Sequence, residues 1–264
     1  MLEGKNVVIL DLETEKSADD CRHCGRTVER HQNLTQDWEG DVPPVLHCQE
    51  DGGARVYARL GWDNKAALGL SIGCYWDYRD SRINWFDVST LEETIRHFVE
   101  TQPLLVSFHG IGFDFPVMEG VLRQAGDTWL ASAPESEEGS RAHRYADRFR
   151  SLAASSYDIL TEIWHQHWDV RPPKGTCMLD AIAQANGYGA KLRHGAQAPR
   201  DWRDGRHAKV LNYCQDDVYK TKALFEQILT TGQILRGDGA PLALPIPVAV
   251  CREELCRGVL QSWM

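Results

Sequence analysis

The chain has 264 residues, 42% of them hydrophobic and 25% charged, a balance that fits a folded domain and excludes bulk disorder. No run approaches the ~18 apolar residues of a membrane span, and the charged opening Met1-Leu2-Glu3-Gly4-Lys5 leads straight into a strand-like segment, so neither a membrane span nor a signal peptide is expected. A formal charge of −9 excludes a surface coated in basic residues, and eight cysteines are too sparse for a disulfide scaffold; a cytoplasmic protein with reduced thiols is expected.

Residues 6–10 (Asn-Val-Val-Ile-Leu) form an apolar run without periodicity, the pattern of a strand buried on both faces of a layered sheet. Residues 14–60 are polar and carry Pro43-Pro44 and Gly52-Gly53. So long an irregular connection predicts an inserted module. Residues 66–78 and 83–87 flank the turn-forming Arg79-Asp80-Ser81 and predict a β-hairpin. Ser89 or Thr90 would cap a helix to about residue 100, with Glu92 and Glu93 at its positive end. Residues 104–108 predict a second buried strand and 114–124 a helix after it. Residues 132–150 read as a loop and a basic surface segment, 155–158 as a short strand, and the stretch to about 167 as a helix. Residues 178–185 and 205–230 read as helices, and from 238 a Pro-rich tail ends in a short amphipathic piece. No internal repeat is present. This order predicts an α/β fold, a mixed β-sheet flanked by helices. The domain is expected at 1–235, the inserted module at 17–60 and the tail at 236–264.

Three separated places supply acids. Asp11-Leu12-Glu13 closes the first strand, and side chains two apart on a strand share a face. Two anions at the mouth of a buried sheet repel each other unless a cation lies between them, and carboxylates suit Mg²⁺ or Mn²⁺. Phe108-His109-Gly110-Ile111-Gly112-Phe113-Asp114 runs from a strand through a glycine-bearing turn to an acid that opens a helix, at the strand end where open α/β sheets place ligands. Tyr213-Cys214-Gln215-Asp216-Asp217 lies on the long C-terminal helix, where Tyr213 and Asp217 share a face.

Together, D-x-E on the first strand, an acid after a later strand and Y-x3-D on the last long helix resemble the DEDD 3′–5′ exonucleases of the ribonuclease H-like superfamily, tyrosine subclass. Asp11 and Glu13 match the first motif, Asp114 the second, and Tyr213 with Asp217 the third. The histidine subclass would need His at position 212, where Asn212 stands. Tyr157-Asp158-Ile159-Leu160 looks like the family's intervening strand end, with Asp158 an acid behind the site. The segment from Leu179 to Val218 resembles predicted exonucleases of this subclass in phage and bacterial genomes. The family's second motif usually begins with Asn, and His109 stands there; its imidazole can still donate a hydrogen bond near the scissile phosphate.

The resemblance implies a ribonuclease H-like fold and hydrolysis at DNA 3′ ends through two Mg²⁺ or Mn²⁺ ions. It implies that Asp11 bridges both ions, that Glu13 and Asp217 complete one site, and that Asp114 helps to hold the other. Tyr213 would orient the attacking water, since an ordinary phenol (pKa near ~10) is a poor base at neutral pH. Single-stranded DNA or a DNA 3′ end is the expected partner, with RNA, or a non-catalytic nucleic-acid-binding module with a decayed site, as alternatives. Any polymerase or helicase partner would be a separate chain. Residues 191–209 carry a net +4 and residues 141–150 a net +3, and both predict phosphate contacts. Lys191, Arg193, Arg200 and Arg203 are the candidates in the first, with His109 nearer the acids, and Trp202 or Phe113 would stack a base.

The insert opens with Cys21-Arg22-His23-Cys24-Gly25, the shape of a metal knuckle, followed by His31 and by His47-Cys48. Cys21, Cys24, His31 and Cys48 are the expected ligands of a structural Zn²⁺. Cys74, Cys177 and Cys214 read as core fillers. His165 and His167 point apart on a helix and are given no role.

Overall fold

The computed structural model describes residues 6–26, 47–48, 55–166, 172–189 and 197–247. Five strands form one sheet: β1 (Val7–Glu13), β2 (Ile72–Asp77), β3 (Arg82–Phe86), β4 (Leu104–Ser107) and β5 (Tyr157–Asp158), in the order β3-β2-β1-β4-β5. β1, β4 and β5 run parallel, whereas β2 is antiparallel to both β1 and β3. The apolar run that opens β1 makes it the central strand, with Val8, Ile9 and Leu10 fully buried. This is the mixed, helix-flanked sheet that the ribonuclease H-like reading requires.

Alternation along β1 divides the core in two. Val8, Leu10 and Leu12 pack beneath α2 (Leu91–Thr101), α3 (Asp114–Ser132) and α4 (Glu137–Ala153). Val7 and Ile9 pack on the opposite face with Val210, Cys214, Val218 and Phe225 of a long C-terminal helix. Ahead of α2 comes the single turn α1 (Lys65–Leu68), and α5 (Ile159–Gln166), α6 (Leu179–Ala185) and α7 (Ala198–Arg203) precede the long helix α8 (His207–Thr231). No described helix is long and apolar enough to cross a membrane.

Two expectations change. Residues 137–153 are helical: Ser136 accepts the Gly139 N–H as a cap, and Ala142, Ala146, Phe149 and Ala153 face the core. At α2 Thr90 is the N-cap residue; its side chain caps no helical N–H but accepts from Asp87 N–H, and the Asp87 carboxylate accepts the N–H groups of Ser89 and Thr90 just ahead of the helix. Beyond α8 the chain forms a hairpin, β6 (Gln233–Leu235) with β7 (Pro241–Ala243), that straddles the 235/236 boundary. Ile234, Leu242 and Leu244 join the α8 side of the core, and Tyr157 donates its hydroxyl hydrogen bond to the Pro245 carbonyl. The amphipathic piece expected near the terminus lies outside the described residues.

Candidate functional site

Asp11 and Glu13 continue the Val7–Ile9 series and so emerge on the α8 face of β1. They lie beyond Ile9↔Val106, the last β1–β4 pair. Asp217 arrives there from α8, buried one turn after the buried Tyr213. α8 is seated on β1 by its apolar stripe and by the Cys214 thiol, which donates to the Asp11 carbonyl at 3.4 Å. Carboxylate oxygens of Asp11, Glu13 and Asp217 lie within 4.8 Å of one another. Asp216 points elsewhere, into an ion pair with Lys220 one turn on.

Asp114 opens α3 and is 3% exposed. The backbone of Leu12, on the edge of β1 that β4 has stopped covering, and its own backbone favour its charged form. Burial, reinforced by the charges of Asp158 and Asp217, nonetheless pushes its carboxyl up to about 8. Three clustered carboxylates beside a fourth acid that holds a proton this tightly make a site short of positive charge. The donor set, all carboxylate oxygen, fits Mg²⁺ or Mn²⁺ and not a soft metal.

The turn that delivers Asp114 is built around Asp158, at the end of β5. The Asp158 carboxylate accepts from the N–H groups of His109 (3.1 Å), Ile111 (2.9 Å) and Thr161 (3.0 Å), and from the Ser107 hydroxyl (3.4 Å). His109 sits at φ 75°, a left-handed conformation costly for a side-chain-bearing residue. Its ring packs over Gly112, where a Cβ would come within 2.5 Å of the imidazole, and meets Trp164 edge-on at 5.7 Å.

Phe113 stands beside Asp114, and its ring meets Trp62 edge-on at 5.8 Å. Lys65 Nζ lies 5.0 Å from the Phe113 ring centre and 5.5 Å from that of Trp62. Trp62 is 62% exposed. The chain just after Trp62 and Lys65 is tied to the end of β1. Lys16 N–H donates to the Leu68 carbonyl and Ser71 N–H to the Glu13 carbonyl. On the other side Gly120 of α3 lets Ala66 approach to where a Cβ would meet it at 2.7 Å. Trp62, Lys65 and Trp164 were not singled out from the sequence. Trp62 and Lys65 lie at the end of a polar insert with no periodicity, and only their pairing with Phe113 marks them.

Several cations of the expected basic patches are ion-paired, while Arg144 and Arg148 are exposed. Arg141 binds Glu92, and Arg150 binds Glu119 together with Arg123. Arg206 and Lys209 both bind Asp201, and Arg203 binds Asp20. Trp202 stacks on His207 with ring centres 4.0 Å apart, and Arg200 of α7 is exposed. Lys191 and Arg193 lie outside the described residues.

In the insert, the sulfurs of Cys21, Cys24 and Cys48 lie within 4.8 Å of one another, and none is in a disulfide. Burial together with Cys48 and Cys21 pushes the Cys24 thiol up to about 11. For Cys21 the effect of burial is outweighed by hydrogen bonds from the His23 and Cys24 backbone, which hold it below its usual value. His31 lies outside the described residues.

Residues 73–238 match the family model described as a predicted 3′–5′ exonuclease related to the exonuclease domain of PolB. The fold is also similar to that of the family B DNA polymerase from the hyperthermophilic archaeon Pyrobaculum calidifontis, with a TM-score of 0.44 and 15% identity. That match covers 85% of this chain but 24% of the polymerase chain. No curated protein matches the chain.

Proposed function

Because the chain belongs to the family of predicted 3′–5′ exonucleases related to the exonuclease domain of PolB, we propose that it removes nucleotides from the 3′ ends of single-stranded DNA in a reaction that depends on Mg²⁺ or Mn²⁺. The observation that carries this reading is the convergence of Asp11, Glu13 and Asp217 within 4.8 Å, with Asp114 buried alongside.

In this reading Asp11, Glu13, Asp114 and Asp217 hold two divalent ions, which when bound activate water and neutralise charge on the phosphate. The chain's own residues do the positioning. The Tyr213 hydroxyl, one turn from Asp217, hydrogen-bonds the attacking water and sets its line of approach. The His109 imidazole, on the turn before Asp114, donates to the scissile phosphate. Phe113 and Trp62 receive the terminal base, and Lys65 and Arg200 meet the backbone phosphates.

The test is an assay of 3′- and 5′-labelled DNA and RNA, single- and double-stranded, with each metal. Stepwise shortening of single-stranded DNA from the 3′ end is expected, and it should be lost in Asp11→Ala and Asp217→Ala. Preferential shortening of RNA would reassign the substrate. Retained activity in either variant would remove the assignment of the site.

Trp62→Ala tests the substrate contact. Stacking one base on an aromatic ring is worth ~1–3 kcal/mol, so single-strand affinity should fall roughly 5–150-fold while kcat at saturating DNA changes little. Fluorescence anisotropy with a labelled oligonucleotide in Ca²⁺, with kcat and KM beside it, reads both. Unchanged affinity would detach Trp62 from the substrate.

A further inference from the structure

Outside the acidic site, the strongest unexplained feature is the thiol cluster of the insert. Among the described residues of 15–60, the buried apolar side chains are Ala18 and the cysteines Cys21 and Cys48 themselves. So small an apolar set cannot hold a segment in one conformation. Yet the segment is ordered by a defined ladder. Gly25 N–H donates to the Cys21 carbonyl at 2.7 Å and Cys21 N–H to the Arg26 carbonyl at 2.8 Å, which folds C-x-x-C-G into a tight knuckle. Cys48 N–H donates to the Arg55 carbonyl at 2.8 Å, and Arg22 N–H to the Ala58 carbonyl at 2.7 Å, which bring Cys48 beside the knuckle. The three sulfurs then meet with a spacing a single ion can bridge.

Soft thiolates at this spacing suit zinc, which contributes folding free energy where a core is missing. The cluster is also tied to the rest of the molecule. Asp20, 2% exposed and adjacent to Cys21, pairs with Arg203 of α7, and the same guanidinium donates to the Gly25 carbonyl at 3.4 Å. α7 leads directly into α8, which carries Tyr213 and Asp217. We propose that Cys21, Cys24 and Cys48 hold a zinc ion, and that this centre fastens the insert to α7 through Asp20 and Arg203. Zinc then governs the rigidity of residues 198–206 and not the hydrolytic chemistry.

The experiment uses the full chain purified under reducing conditions, with no nucleic acid, so its result is independent of nuclease activity. Elemental analysis should give one zinc per chain, falling to background in Cys24→Ser and Cys48→Ser. Stripping zinc with a chelator should speed amide hydrogen exchange at residues 17–26 and 198–206 and leave β4 unchanged. Asp20→Asn should keep its zinc yet show the faster exchange at 198–206. Zinc at background in the parent chain, even after incubation with zinc chloride, would overturn the proposal, as would full zinc in Cys48→Ser. Equal exchange at 198–206 with and without zinc would overturn the fastening role.

Discussion

Asp114→Asn should melt at a higher temperature than the parent chain in EDTA at pH 8, and should be inert as a nuclease. An ordinary aspartate titrates near ~3.9, whereas burial and the neighbouring carboxylates push Asp114 up to about 8. Between those two values the unfolded chain has released a proton that the folded chain retains. Stability therefore falls as pH rises across this window, and the whole penalty is present above it. Asn carries no such penalty and is close to Asp in size and shape. For a chain of this size each kcal/mol moves Tm by ~2–4 °C, so a gain of at least about 4 °C is expected at pH 8, shrinking toward pH 5. Saturating Mn²⁺ should raise the parent's Tm and raise the variant's less. Hydrolysis should fall on the order of 10³-fold, the scale of losing one preorganised electrostatic group. Melting curves from pH 5 to 8, in EDTA and in Mn²⁺, check the sign; parallel curves for the two proteins would refute the account.

That trade of stability against function also explains how much of the site was legible beforehand. Period-2 alternation on β1 places Asp11 and Glu13 on one face, and the one-turn spacing places Tyr213 with Asp217; both are local rules, and both hold in the geometry. α4 escaped because its buried stripe is mostly small residues (Gly139, Ala142, Ala146, Ala153) under a dense cover of charge, with Phe149 and Leu152 as its large apolar members, so few bulky apolar positions mark the period. The close α3–α4 crossing needs those small residues: a Cβ on Gly139 would meet the Gly126 carbonyl oxygen at 2.9 Å. The hairpin after α8 has strands of three residues each, too short for alternation to register. The ion pairs of the basic segments were illegible for a different reason. Their partners Glu92, Glu119 and Asp20 come from distant parts of the chain, and a count of local charge cannot see them.

Asp158→Asn should cost both stability and metal affinity without touching a proposed metal ligand. The Asp158 carboxylate is 1% exposed and collects four donors, three of them backbone N–H groups. An amide offers one acceptor oxygen and sets an NH₂ against a donor that the second oxygen had satisfied. Leaving a buried N–H without an acceptor costs ~1–3 kcal/mol, and the charge-assisted character of the lost bonds places the expected loss at the upper end. The structural consequence is specific, because the N–H groups of His109 and Ile111 define the turn that ends at Asp114. His109 is held in its left-handed conformation there, and without that anchor the turn relaxes and Asp114 leaves the edge of β1. Groups that orient metal ligands without binding the metal typically account for ~10–100-fold in metal affinity or activity. The Mn²⁺ concentration for half-maximal hydrolysis should therefore rise ~10-fold or more, with kcat at saturating Mn²⁺ falling less. Ser107→Ala, which removes only the long 3.4 Å contact, should leave the metal titration close to the parent's. An Asp158→Asn protein with a lowered Tm but parental half-saturation would show that Asp158 supports the fold alone, and that Asp114 keeps its place by its contact with β1.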